Sequence, residues 1–163
     1  MPRLAKSVLL VLVAVLLVSL GGCSKQDENQ NQVSQVAPGK KQTRVVIPDE
    51  VKGRWRAVKI AVQDKEKSQQ DVYTVNIGYG FVVGDSALNL KVEAFLPYFQ
   101  MDGMTLTSVS NDPRNPAAQI SISENGREVF SGWLFSKYPN THAFQHPRYS
   151  FSLVDFIPSA EKG

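Results

Sequence analysis

The chain has 163 residues, a formal net charge of +3 and a single cysteine. One thiol has no partner inside the chain, so the fold cannot rest on an internal disulfide framework. Of the 18 Lys and Arg residues, Arg3 and Lys6 precede the first apolar run, and the other 16 face 15 Asp and Glu; so even a balance, with no basic stripe among aromatics, argues against nucleic acid as a partner.

Arg3 and Lys6 make a short positive start, and Val8 to Leu20 follow as an apolar run of 13 residues. As a helix rising 1.5 Å per residue this run spans ~20 Å, short of a hydrocarbon core of ~30 Å. Its length and flanks are those of a signal-peptide core. Its end, Leu20-Gly21-Gly22-Cys23, resembles the lipobox of bacterial lipoproteins. The resemblance implies cleavage before Cys23 and acylation of that residue, palmitate included; two or more acyl chains hold a protein stably on a membrane, whereas one does not. Ser24, in place of Asp, favours the outer membrane by the enteric sorting pattern. The expected place is the bacterial cell envelope, lipid-anchored and facing the periplasm. The expected partners are the membrane, through the lipid, and an envelope protein.

Ser24 to Arg44 is rich in Gln, Asn, Ser and Lys and nearly free of large apolar groups. Such a segment buries too little surface to offset its ordering entropy, and reads as a tether. A coil of ~20 residues has an end-to-end distance of roughly 25 Å. The organisation expected is therefore a signal peptide over 1–22, the lipidated cysteine and flexible tether over 23–47, one β domain over 48–158 and a disordered tail over 159–163.

Within the domain the hydrophobic period is two. Val58, Ile60 and Val62 share one face of the first strand, with Lys59 and Gln63 on the other. Tyr73, Val75 and Ile77 alternate with Val72, Thr74 and Asn76 in the second, and Leu88, Leu90, Val92 and Ala94 with Asn89, Lys91 and Glu93 in the third. Ile120 and Ile122 alternate with serines, and Asn125-Gly126 then signals a hairpin into a strand from Glu128 to Phe135. The last strand runs from Tyr149 to Phe156. Short strands about ten residues apart, with no helical window, predict an all-β antiparallel sandwich or small barrel of about seven or eight strands. Leu96 to Pro116 reads as a long loop or crossover with one short strand near Thr105 to Val109.

The candidate interaction surface is the apolar cluster Phe95, Tyr98, Phe99, Met101 and Met104, with core packing as the plainer reading. His142 and His146, four apart, invite a metal or small ligand together with Asp155. Pro147 disfavours helix at His146, however, and a third close ligand is missing. The expectation is no metal and no cofactor, with His146 packed beside Trp133 or Tyr149. An envelope hydrolase built from a serine, a histidine and Asp155 is the weakest reading, because no serine sits in a Gly-x-Ser-x-Gly elbow. No catalytic residue is assigned.

The run FSGWLFSKYP, then HPRY, then LVDF resembles the bacterial family called domain of unknown function 2155. The shared features are an aromatic-Ser-Gly-Trp-aliphatic-Phe strand, a His-Pro-x-Tyr step and a final strand ending in Asp. Here they fall on Phe130, Ser131, Gly132, Trp133, Leu134 and Phe135, on His146, Pro147 and Tyr149, and on Asp155. Many relatives end Asp-Cys with a partner cysteine, whereas Phe156 follows Asp155 here. The resemblance implies a small envelope domain and no known activity. Read physically, Gly132 admits a large ring over bare backbone beside Trp133. Trp133, His146, Tyr149 and Asp155 are expected to form one structural polar cluster at the core edge.

Overall fold

The computed structural model describes residues 43–160. The lipobox and the signal run lie outside them. Ten strands follow in chain order: β1 (Arg44–Val45), β2 (Trp55–Asp64), β3 (Gln69–Asn76), β4 (Gly80–Val82), β5 (Leu88–Leu96), β6 (Phe99–Asp102), β7 (Thr105–Ser108), β8 (Ala117–Glu124), β9 (Arg127–Phe135) and β10 (Tyr149–Pro158). The all-β antiparallel class is as the alternation predicts. The strand count is higher than expected because β1, β4 and β6 are two to four residues long, too short to show a period.

Two sheets enclose the core. One has the order β10-β2-β3 and the other β4-β5-β8-β9. Val58, Ile60, Val62, Phe151 and Leu153 of the first meet Leu88, Leu90, Val92, Ile120, Ile122 and Leu134 of the second. All eleven are at most 4% exposed. At roughly 1.5–3 kcal/mol for each large aliphatic side chain removed from water, this layer is the main favourable term of the fold. The hairpin joining β8 to β9 turns at Asn125 and Gly126, with φ of +49° and +78°. Positive φ at both turn residues defines the tight turn whose twist suits paired strands.

A third small sheet, β1-β7-β6, stands apart from the sandwich ladders. Inside the segment read above as a long loop or crossover, Gly103 and Met104 form the turn of the β6–β7 hairpin, with Met101 opposite Leu106 and Asp102 opposite Thr105. Arg44 and Val45 pair in parallel with Thr105 and Leu106. A strand therefore lies inside the segment expected to be tether, ahead of the expected domain start at Pro48.

Phe95 corrects the surface expectation. A register irregularity between Val92 and Ala94 breaks the alternation of β5. A bulge of this kind re-aims the residues that follow it. Phe95 is 2% exposed, edge-on to Trp55 and stacked on Phe156, and belongs to the core.

Gly132 confirms the expectation of a ring over bare backbone but corrects the ring. A Cβ built there would lie 2.5 Å from the tip of Phe130, two residues earlier on the same strand, so Phe130 and not Trp133 covers the glycine. Gly132→Ala is expected to displace Phe130 and cost about 1–2 kcal/mol, overpacking being partly offset by lower entropy of the unfolded chain. Adding Phe130→Leu should recover most of the loss, as read by denaturant unfolding of both variants.

Candidate functional site

A groove of about 570 Å³ runs beside β9. Phe99 forms its aromatic wall, edge-on to Trp133 at 5.1 Å and to Phe135 at 5.0 Å between ring centres. Met101 and Leu106 of the β6–β7 hairpin line it too, as do Thr141, His142 and Ala143 of the loop before β10. Met101 is 57% exposed and Leu106 only 4%.

The hairpin carrying Phe99 and Met101 is pinned at its base by polar contacts. The buried Ser108 hydroxyl accepts from the Tyr98 amide and donates to the Ser110 carbonyl. Asn115 donates through its side chain to the Phe99 carbonyl, while the Phe99 amide donates to the Asn115 carbonyl. The Trp55 indole N–H reaches the Asn111 side chain at 2.7 Å. Backbone groups here are satisfied by side chains, which is how irregular chain stays ordered. In the loop before β10, His142 sits at φ +52° and so occupies the left-handed region, costly for a non-glycine residue.

The predicted surface residues divide. Phe99 and Met101 line the groove. Tyr98 is half-buried and Met104 is 41% exposed, and neither lines it. The family-motif residues Gly132, Trp133 and Phe135 line the groove. His142 lines it as well.

The expected cluster of Trp133, His146, Tyr149 and Asp155 is not one place. Asp155 faces outward and pairs with Lys59 at 2.8 Å, which holds its carboxyl below the ordinary range. Trp133 packs on Phe99. His146 does stack on Tyr149, at 5.6 Å, with Phe144 on its other side. Its Nδ1 accepts the backbone amides of Arg148 and Tyr149, at 3.2 and 3.0 Å. Pro147 carries the chain between. The His-Pro-x-Tyr step is thus a turn closed by an imidazole. Among the described residues no three His, Cys, Asp or Glu side chains stand close enough to share a metal.

The residue that the motif leaves as x is Arg148, and sequence reasoning missed it. Its guanidinium donates to both oxygens of Asp64, at 2.7 to 3.1 Å, and to Asp85 at 2.6 Å. Asp64 ends β2, and Asp85 lies in the turn between β4 and β5. One cation therefore ties the two sheets at the entry of β10. Asp64 and Arg148 side chains are 11% and 20% exposed, and their two-oxygen geometry is the strong form of this pair. The companion pair Lys67–Asp85 is half-exposed and contributes little. Asp64 is held below the ordinary carboxylate range, first by its bonds from Arg148. Asp85 is held down at about 2 by hydrogen bonds from Lys67 and Tyr149 and by the charge of Arg148. Burial first, and then Asp85, pushes the Tyr149 hydroxyl up. The φ of +53° at Gly84 makes the turn that presents Asp85, and a Cβ there would stand 3.1 Å from the Tyr149 hydroxyl.

Residues 105–155 match the model of the family described as an uncharacterized protein conserved in bacteria (DUF2155). The matched stretch holds β7, β8, β9, the loop bearing His142 and most of β10. It contains much of the groove lining and Arg148. No curated protein and no solved structure matches the chain.

Both carboxyls have folded values below their unfolded ones, so their stabilising effect is present above the ordinary carboxylate range and is lost as pH falls from about 4 toward 2. The melting temperature should hold from neutral pH to about 5 and drop below about 4. Arg148→Met should melt lower at neutral pH and show a shallower acid drop. Arg148→Lys should recover only part, since an ammonium cannot reproduce the fork.

Proposed function

We propose that this protein is a lipid-anchored component of the bacterial envelope, facing the periplasm from the outer membrane, and that its β domain acts by binding. The groove beside β9 receives an apolar segment of a partner protein. One observation carries the binding reading: Phe99, Trp133, Phe135 and the exposed Met101 converge on an open groove of about 570 Å³. That volume is typical of a binding site, and an apolar lining with a few hydroxyl and imidazole groups is the usual composition. Clustered aromatics and methionine are also the side chains enriched at interface centres.

The hydrolase reading has no serine–histidine pair to rest on among the described residues. Among the described residues, neither histidine hydrogen-bonds a serine hydroxyl; Nδ1 of His146 is occupied by two amides. A nucleophilic mechanism needs a base within reach of its nucleophile. The anchoring reading rests on Leu20-Gly21-Gly22-Cys23 and the apolar run before it.

Cys23→Ser is expected to move the chain from the membrane fraction to the soluble fraction; retention on the membrane would contradict the anchor. A photoreactive residue at Met101 should give one dominant crosslinked partner in cells. Met101→Glu, at an exposed position, should leave melting nearly unchanged and weaken that partner's binding about tenfold or more. Unchanged binding would remove the groove as the site.

A further inference from the structure

We infer that the groove takes an extended strand from another polypeptide, which adds to the free edge of β9 as a fifth strand of the β4-β5-β8-β9 sheet. This deepens the groove reading above and rests on it.

Among the described residues β9 is the terminal strand of its sheet, with β8 as its only ladder partner. The phase of that ladder is fixed by the Ser136 amide, which donates to the Pro116 carbonyl. Hydrogen-bonded and non-hydrogen-bonded pairs alternate along antiparallel strands. The pairs Ala118–Leu134, Ile120–Gly132 and Ile122–Phe130 are therefore the bonded ones. Ser131, Trp133 and Phe135 turn their amides and carbonyls away from β8. Among the described residues these outward groups have no hydrogen-bond partner outside the strand ladders, and no strand pairs with that edge.

The groove lies along that edge and not over one face. Its lining includes Phe130 and Gly132, opposite the core residues Ile122 and Ile120, and also Ser131, Trp133 and Phe135, which alternate with them onto the outer face. A cavity that touches consecutive residues of one strand must run beside the backbone. β10 approaches part of β9, but no ladder joins the two among the described residues. Phe144 packs between Phe130 of β9 and Phe151 of β10.

These features specify the occupant. Three residues offering both a donor and an acceptor call for an extended backbone of about five residues, ~17 Å long. Side chains above it meet Phe99, Met101 and Trp133, and those below meet Phe130 and Ala143, so its central residues are apolar at successive positions. The chain's own N-terminal segment ends nearby, where the Arg44 amide donates to the Met104 carbonyl. Residues 24–42 offer only Val33, Val36, Ala37 and Pro38 as apolar side chains. They cannot fill an aromatic groove, which assigns the strand to a second polypeptide.

The test uses the full chain in detergent and a displayed library of random linear dodecapeptides, with the best binder resynthesised as a free peptide. The expected result is at least tenfold slower amide exchange at Ser131, Trp133 and Phe135 on binding. Ser131→Pro removes an amide the fold does not use, which an edge strand tolerates. It should keep the melting curve and lose at least tenfold in peptide affinity, whereas Ser131→Ala should keep both. Peptides that bind, are lost with Met101→Glu, and leave the three amides unprotected would overturn strand addition while sparing the groove. Failure to select any peptide would overturn both readings. A wild-type dimer that becomes a monomer on Ser131→Pro would make the occupant a second copy and overturn this proposal.

Discussion

The arrangement depends on one guanidinium. Arg148 reaches Asp64 at the end of β2 and Asp85 in the turn before β5, so it joins the two sheets where β10 begins. Its Asp64 arm, within one sheet, is two-pronged and largely shielded; its Asp85 arm, which crosses to the other sheet, is a single bond to a more exposed carboxylate that also accepts from Tyr149. The imidazole of His146 closes the turn just before it by accepting the Arg148 and Tyr149 amides. With its start fixed there, β10 runs antiparallel along β2 from Tyr149 opposite Asp64. Among the described residues β10 approaches β9 without forming a ladder to it, and the edge of β9 stays unpaired.

An unpaired strand edge is a template for other chains, and proteins usually blunt it. The β3 edge begins with Gln69, Gln70 and Asp71 and is mostly exposed. β9 is different. It is flanked by Arg127 and Glu128 at one end and Lys137 past the other, but its middle is Phe130-Ser131-Gly132-Trp133-Leu134-Phe135. The β6–β7 hairpin and the loop at Thr141 to Ala143 shelter that middle without occupying the groove. A sheltered, apolar, unpaired edge suits selective pairing better than aggregation.

Much of the sandwich was legible because burial on one face writes a period of two into the sequence. β2, β3, β5, β8, β9 and β10 all fall where alternation puts them. The short strands left no such trace. β6 was missed, although Asp102-Gly103 between Phe99-Gln100-Met101 and Thr105-Leu106-Thr107 is a turn signal that could have marked it. Phe95 could not be placed, since alternation carries no information across a bulge. The site was legible by residue and not by grouping. Trp133 and Gly132 stood out, but which wall they faced depends on a hairpin 30 residues away in sequence. Arg148 and its two aspartates sit in a turn, a strand end and a second turn, where charged residues are ordinary. Only the topology makes them neighbours.

The claim that one edge of β9 stands open is tested most directly by residue-resolved amide hydrogen exchange on the unliganded protein. Phe130, Gly132 and Leu134 should be protected by the ladder to β8, while Ser131, Trp133 and Phe135 exchange at rates near those of exposed amides. That alternation would establish the free edge. Equal protection at all six would mean that the edge is already covered, and would contradict the account.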